Sequence, residues 1–150
     1  MSAKAVGNVG ESYAMSVAID PPDYQVIELS SFQLDFMFSF KADIALLLNI
    51  TPDHLDRYEN SFDLYVNSKF RITQNMTVND HFIYNYDDPV IKEALAKRNL
   101  ECQTHPVSIF QKDGVDSWLD KESIIIKTNN QKQTIMSIHQ LAQQGKHNVF

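Results

Sequence analysis

The chain has 150 residues, of which 43% are hydrophobic and 21% are charged, and its formal net charge is −6. This length is that of one domain, and no apolar run approaches the roughly 20 residues that a membrane-spanning helix needs. The acidic balance argues against nucleic acid or an anionic membrane as the main partner, and the single cysteine, Cys102, excludes an internal disulfide and fits a cytoplasmic protein.

The first half of the chain predicts strands that alternate with a helix. A short strand within 4–10 runs into a turn, and a helix over 11–19 follows until Pro21-Pro22 ends it. Tyr24–Glu28 and Ala42–Leu48 are predicted as parallel strands. The second of these lacks apolar alternation, which is typical of a strand covered on both faces.

The second half continues the alternation and then changes character. Ser61 is the expected N-cap of a helix, because its hydroxyl can accept a hydrogen bond from a free amide of the first turn. The predicted elements are a helix over 61–75, a strand over 81–86, a helix over 89–98, a strand over 103–109 and a β-hairpin with strands at 123–127 and 133–138. The expected fold class is therefore α/β, a mostly parallel sheet flanked by helices with a small antiparallel hairpin appended.

Polar residues follow the first two buried strands at the point where each strand ends. Glu28–Asp35 reads Glu-Leu-Ser-Ser-Phe-Gln-Leu-Asp, and Asn49–Arg57 reads Asn-Ile-Thr-Pro-Asp-His-Leu-Asp-Arg. Ligands of open α/β sheets bind beyond the carboxyl ends of the strands, so we expect a site at this rim. Each residue also has an ordinary explanation: a strand-end carboxylate for Glu28, turn hydrogen bonds for Ser30, and a structural histidine for His54.

Lys69 stands out within the predicted helix over 61–75. At 100° per residue it falls in the apolar stripe formed by Phe62, Tyr65, Val66, Ile72 and Met76. Asn67, Arg71 and Gln74 are expected to face solvent on the opposite side. A lysine on a buried face is costly unless it is paired, neutral or chemically modified, although its stem can also be buried while the ammonium reaches water.

The rest of the chain adds no second cluster with ligand spacing. His81, His105, His139 and His147 are predicted to be structural or exposed, and Trp118 is predicted to pack in the core or hairpin. The sequence contains no G-x-x-x-x-G-K-[ST] phosphate loop.

Four motifs resemble those of the Mur ligase family. They are Glu28–Leu34, Asn49–Arg57, Lys69 within Ser-Lys-Phe-Arg-Ile, and Gly145–Asn148 with the sequence Gly-Lys-His-Asn. They occur in the family's order, and Gly7-Asn-Val-Gly10 is also similar to the family pattern. The first motif resembles the form found in the members that add D-glutamate.

The resemblance implies a fold and a domain assignment. Residues 1–150 would be the later part of the central ATPase domain, without the phosphate loop and its strand, the N-terminal UDP-sugar domain and the C-terminal amino-acid domain. Loss of the phosphate-loop strand would leave an unpaired sheet edge, which predicts self-association or a rearranged strand order. The chain alone is expected to be inactive, and the family implies a bacterial, cytoplasmic protein.

The resemblance also implies a reaction and its metal residues. ATP would phosphorylate the carboxylate of UDP-N-acetylmuramoyl-L-alanine, and the amine of D-glutamate would then attack the acyl phosphate during peptidoglycan precursor synthesis. Glu28 and His54 would hold Mg²⁺ ions. Lys69 would be carbamylated and would help to hold the second ion, so that His54 and Lys69 act as the catalytic residues through the metals.

Substrate contacts are implied for four further residues. Asn8, Ser30 and Gln33 would contact UDP-N-acetylmuramoyl-L-alanine, and Asn148 would lie near the nucleotide.

Two alternatives remain open. The first is a metal-dependent phosphohydrolase that uses Asp53, His54 and Asp56 together with Glu28, which predicts tight binding of Mn²⁺ or Zn²⁺. The second is a non-catalytic module that retains only affinity for the UDP-sugar or for metal.

Overall fold

The computed structural model describes residues 1–111, 113–128 and 131–141. Its strands are β1 (Ala3–Gly7), β2 (Tyr24–Glu28), β3 (Ile44–Leu47), β4 (His81–Asn85), β5 (Gln103–Ser108), β6 (Ser117–Asp120), β7 (Ser123–Thr128) and β8 (Gln131–Ser137). Its α-helices are α1 (Tyr13–Ile19), α2 (Ser31–Asp35), α3 (Phe62–Phe70) and α4 (Pro89–Ala96), and short 3₁₀ turns cover Leu55–Tyr58, Arg71–Thr73 and Ile138–Gln140. No helix in the described ranges has the length and apolar character that crossing a membrane requires.

The described strands form two sheets. β1 and β2 pair in parallel as a two-stranded sheet, and the other six strands form a sheet in the order β3-β4-β5-β6-β7-β8. Pairing is parallel from β3 to β6 and antiparallel from β6 to β8. The expected α/β class with an antiparallel appendix is therefore confirmed. β6 was not predicted, because its four residues are too few to show periodicity.

The two strands that lead to the predicted rim are not hydrogen-bonded neighbours. β2 pairs only with β1 and β3 only with β4 among the described strands. The expectation that β3 is covered on both faces is wrong, since Ala45 and Leu47 are buried whereas Ile44 and Leu46 are 59% and 53% exposed. The buried residues contact α3 and α4, which cover only one face of the sheet.

The main core lies between that face and the helices. Phe82 on β4 is fully buried, and its ring lies 6.1 Å from the ring of Phe70 on α3. Ile91 of α4 is also fully buried, so both helices are fixed to the parallel strands by apolar contact. Trp118 belongs to a second, smaller cluster with Val115 and Ile125, which confirms its predicted packing role.

The helix predicted over 61–75 ends earlier, and this changes the direction of one side chain. Ser61 caps α3 as expected, by accepting from the Leu64 amide, but the chain tightens into a 3₁₀ turn at Arg71. Arg71 was expected to face solvent. It is instead half-buried, and its Nε donates to the carbonyl oxygen of Leu34 at 2.8 Å. Carbonyl groups in the last turn of a helix have no partner within the helix, and Arg71 supplies one for α2.

Candidate functional site

Glu28 ends β2 and is oriented by the turn that follows β1. The backbone amide of Asn8 donates to the Glu28 carbonyl oxygen at 2.8 Å, and Asn8 Nδ2 donates to Glu28 Oε1 at 3.2 Å. This close approach explains the glycine at position 7, because a Cβ there would lie 2.3 Å from the Glu28 carbonyl oxygen. A predicted substrate residue, Asn8, therefore holds a predicted metal ligand, Glu28.

Ser30 and Gln33 engage each other at the start of α2. The backbone amide of Gln33 donates to Ser30 Oγ. The Gln33 side-chain oxygen Oε1 accepts from the Ser30 backbone amide at 2.9 Å and from Ser30 Oγ at 3.1 Å. This is a capping box, in which residues three apart satisfy the free amides of a helix start. The sequence carries this signal as Ser30-Ser-Phe-Gln33, but Ser30 was interpreted as a turn residue or a ligand contact and Gln33 as a ligand contact, so α2 was not predicted.

His54 lies on the loop after β3, and a hydrogen bond joins this loop to the connection between β4 and α4. The Ile50 amide donates to Asp88 Oδ2 at 3.1 Å, and Asp88 also caps α4. His54 itself has φ 49° and ψ 34°, a left-handed conformation that is uncommon in a residue other than glycine. Its Nε2 lies 3.4 Å from Asp53 Oδ2, and its ring centroid lies 5.3 Å from that of Phe32. The exposed His54 side chain is thus held at the rim by contacts from two segments.

Lys69 brings the separate parts of the rim together. It is half-buried on α3, and its Nζ lies 5.5 Å from the centroid of the Tyr65 ring. Burial lowers the pKa of Lys69, and the opposing charges of Asp53 and Glu28 limit that decrease. Glu28 at the end of β2 and Asp53 in the loop after β3 therefore both interact electrostatically with this amine, although the two strands lie in different sheets. Lys69 is neither fully buried nor turned into bulk solvent.

The donor set fits a magnesium site only under one chemical condition. Within residues 1–111, 113–128 and 131–141, no three His, Cys, Asp or Glu side chains form a group that could hold a metal ion. Carboxylate oxygens such as that of Glu28 suit Mg²⁺, but an ammonium beside them repels a cation. Carbamylation would convert the Lys69 ammonium into an anion and complete the set, and the lowered pKa favours the neutral amine that such a reaction needs.

The other described histidines make structural contacts, as predicted. His81 Nδ1 lies 2.9 Å from His105 Nε2, and His105 Nδ1 lies 3.0 Å from Asp116 Oδ2. His139 is exposed beside Glu122. The two remaining predictions, His147 as structural and Asn148 as nucleotide-binding, lie outside the described residues.

One cavity lies away from the predicted site residues. It measures about 290 Å³ and lies between α3 and α4. Its lining residues are Phe62, Asp63, Val66, Asn67, Val90, Glu93, Ala94, Lys97 and Arg98. None of the predicted site residues is among them.

The chain is similar to known proteins in family, sequence and structure. The model of the Mur ligase middle domain matches residues 9–150. The UDP-N-acetylmuramoylalanine–D-glutamate ligase of Bacteroides fragilis is 46% identical over 144 residues, which are 96% of this chain and 32% of that protein. The protein of the same name from Christiangramia forsetii is 49% identical over 143 residues, covering 95% of this chain and 32% of that protein. The chain thus spans about a third of the length of these relatives.

Solved structures share the fold at low sequence identity. The MurF ligase from Thermotoga maritima in complex with ADP matches with a TM-score of 0.56 and 20% identity, over 89% of this chain and 34% of that one. A UDP-N-acetylmuramoyl-L-alanyl-D-glutamate–2,6-diaminopimelate ligase matches with a TM-score of 0.56 and 18% identity, over 84% of this chain and 27% of that one. These likenesses establish the fold alone.

Proposed function

Because the chain belongs to the Mur ligase family, we propose that it is the later part of the central ATPase domain of a ligase that adds D-glutamate to UDP-N-acetylmuramoyl-L-alanine. The observation that supports this proposal is that the charges of Glu28 and Asp53 both act on Lys69, while Asp53 Oδ2 lies 3.4 Å from His54 Nε2. The names of the curated relatives support the choice of D-glutamate as the amino acid. The proposed reaction takes place in the bacterial cytoplasm.

The proposed metal residues are Glu28, His54 and carbamylated Lys69. Bound Mg²⁺ would supply positive charge that stabilises the phosphoryl group during its transfer from ATP. The chain's own contribution is to hold these side chains in place: Asn8 orients the Glu28 carboxylate, and Asp53 lies beside the His54 ring. The half-buried position of Lys69 favours the neutral amine that reacts with CO₂.

The proposed substrate residues are Asn8, Ser30 and Gln33. Their role is to bind UDP-N-acetylmuramoyl-L-alanine so that its carboxylate reaches the metal residues. The capping box uses the Gln33 side-chain oxygen and leaves its Nε2 as a donor for a ligand. Asn148 is proposed to lie near the nucleotide.

The assay for this function is formation of the ligated product. We expect the complete ligase that contains this chain to release ADP and phosphate only when ATP, Mg²⁺, UDP-N-acetylmuramoyl-L-alanine and D-glutamate are all present. The 150-residue chain alone should be inactive. Preference for another amino acid would refute the D-glutamate assignment, whereas turnover of a phosphoester by the isolated chain would favour the hydrolase alternative.

Carbamylation of Lys69 has a direct spectroscopic test. In ¹³C-labelled bicarbonate we expect the protein to show a carbamate carbon signal that the Lys69→Arg variant lacks, since the guanidinium does not react in this way. Lys92→Arg is the matched control, because this lysine lies on α4 with its ammonium over the Tyr86 ring and is not one of the proposed site residues. Identical spectra for the protein and Lys69→Arg would exclude the modification.

We also propose that the isolated chain self-associates through the open strands. β2 and β3 each have one described partner strand, and Val26 on β2 is 64% exposed while Leu46 on β3 is 53% exposed. Unpaired edges with apolar side chains favour pairing with another chain. Sedimentation should show dimers or larger species that the double variant Val26→Lys, Leu46→Lys reduces. A chain that stays monomeric at every concentration contradicts this proposal.

A further inference from the structure

A buried hydrogen-bond network lies directly beneath the rim. The hydroxyl of Tyr58, a residue only 8% exposed, donates to Asp35 Oδ2 at 2.8 Å and lies 3.1 Å from Ser68 Oγ. Ser68 Oγ in turn donates to the Ser31 carbonyl oxygen at 3.0 Å. Either hydroxyl can donate in the contact between Tyr58 and Ser68, so the two side chains form one chain of hydrogen bonds from Asp35 to the Ser31 carbonyl.

The members of this network belong to the three segments that carry the site. Ser31 and Asp35 are the first and last residues of α2, Tyr58 ends the 3₁₀ turn that begins directly after His54, and Ser68 immediately precedes Lys69. The Tyr58 hydroxyl is therefore the point at which α2 and α3 meet the turn after His54. Loss of this hydroxyl would remove the contacts from the turn to both helices, whereas the Ser68–Ser31 hydrogen bond between α3 and α2 would remain.

Aromatic contacts extend the same connection to the His54 ring. The Phe32 ring on α2 stacks against the Tyr58 ring at 6.2 Å between centroids. The centroid of the Phe32 ring also lies 5.3 Å from that of the His54 ring. The Arg57 guanidinium lies 4.4 Å from the Phe32 ring centroid. A left-handed histidine is a costly backbone conformation that persists only where its surroundings determine it. The Phe32–Tyr58 stack supplies such surroundings.

We propose that Tyr58 is a positioning residue that holds His54 and Lys69 at fixed mutual positions through its hydroxyl network with Asp35 and Ser68. The proposal rests on the proposed ligase function, since it assigns Tyr58 a part in the same site. Tyr58 is buried. It acts through the segments that it joins.

The test uses Tyr58→Phe in the complete ligase, because this change removes the hydroxyl and keeps the ring that stacks on Phe32. Loss of a group that orients metal-site residues typically reduces metal affinity or activity by 10- to 100-fold. We therefore expect kcat to fall about tenfold and the Mg²⁺ concentration for half-maximal rate to rise about tenfold, with the KM for D-glutamate unchanged. Adding Ser68→Ala to Tyr58→Phe should cause little further loss, because both changes break one network.

Ser117→Ala is the control for a general loss of stability. It also removes a hydroxyl that donates to a backbone carbonyl, that of Ile125 at 2.9 Å, but it lies on β6 in the antiparallel part of the fold. It should leave kcat and the Mg²⁺ requirement unchanged. A Tyr58→Phe ligase that behaves like Ser117→Ala refutes the positioning role while the proposed function stands.

A second readout decides the question independently of ligase activity. NMR spectra of the protein should contain nuclear Overhauser contacts between the His54 and Phe32 rings, and Tyr58→Phe should weaken these contacts and broaden the His54 and Lys69 side-chain signals. If the complete ligase without substitutions fails to ligate, the proposed function is wrong. In that case unchanged His54 and Lys69 signals in Tyr58→Phe would still refute the positioning role.

Discussion

Arg71 offers the sharpest test, because the sequence pattern and the structure predict opposite results for its replacement. The pattern places it in solvent, where Arg71→Met should have little effect. The structure places its Nε 2.8 Å from the Leu34 carbonyl oxygen at the end of α2, and its Nη2 3.4 Å from the carbonyl oxygen of Met37. Methionine keeps most of the apolar stem and removes both donors.

The magnitude follows from these contacts. A hydrogen bond from a charged donor typically contributes about 1.5–3 kcal/mol, and the 3.4 Å contact adds little, so we expect a loss of about 2 kcal/mol in the free energy of unfolding. For a domain of this length such a loss lowers Tm by about 4–8 °C. Calorimetry or thermal unfolding followed by circular dichroism measures the shift. Because α2 carries Ser30 and Gln33, the same variant in the complete ligase should raise the KM for UDP-N-acetylmuramoyl-L-alanine.

Lys97→Met is the matched control for removal of a cation from a helix end. Lys97 pairs with Glu93 on the surface of α4, where its side chain is 66% exposed. Water screens such pairs and they contribute little, so Tm should remain close to that of the unaltered protein. If Arg71→Met lowers Tm no more than Lys97→Met does, Arg71 does not fix α2, and the account of how α2 reaches the rim is wrong.

Two further predictions concern the turn that follows β1 and the stability of the fold at acid pH. Gly7→Ala should destabilise the protein by at least about 2 kcal/mol and displace Glu28. Gly10→Ala should cost only about 1 kcal/mol from backbone strain, because Gly10 also has a positive φ but the nearest heavy atom to an added Cβ would lie at 3.6 Å. Equal losses of unfolding free energy in chemical denaturation would contradict the close approach at Gly7. The hydrogen bond from Lys41 is the main cause that lowers the pKa of Asp80 to about 2 from 3.8, so Asp80 stabilises the fold above pH 4 and this contribution disappears as pH falls from about 4 to 2. The Tm difference between the protein and Asp80→Asn should therefore close over that range, and a difference that stays constant with pH would disprove the assignment.

Local sequence patterns were sufficient for most of the elements. β2 has the predicted bounds, and β4, α4 and β5 begin where predicted, because strand composition, a proline in the first helical turn and flanking polar residues all act over a few neighbouring residues. The misses had different causes: β6 has only four residues, and the local capping signal of α2 was not interpreted as a helix start. The inward direction of Arg71 after α3 ends at Phe70 has a third cause. Arg71 binds a carbonyl group of α2, and α2 lies far from Arg71 in the sequence.

The rim was predictable as a list of residues but not as a geometry. Glu28, His54 and Lys69 were identified from their places at strand ends and on an apolar helix face. The family resemblance implied their roles as metal residues. Nothing in the linear pattern indicated that Asn8 binds the Glu28 carboxylate, or that Tyr58 joins the turn after His54 to α2 and α3.

The sequence by itself determined the α/β class, the order of its elements and the residue types brought to the strand ends, since periodicity and capping are local properties. Only the tertiary structure decided that β2 and β3 lie in separate sheets and that the charges of Glu28 and Asp53 nevertheless act on the same amine, that of Lys69. The physical reason is that strand pairing, burial and charge interactions depend on which distant segments meet, and spacing along the chain does not specify that.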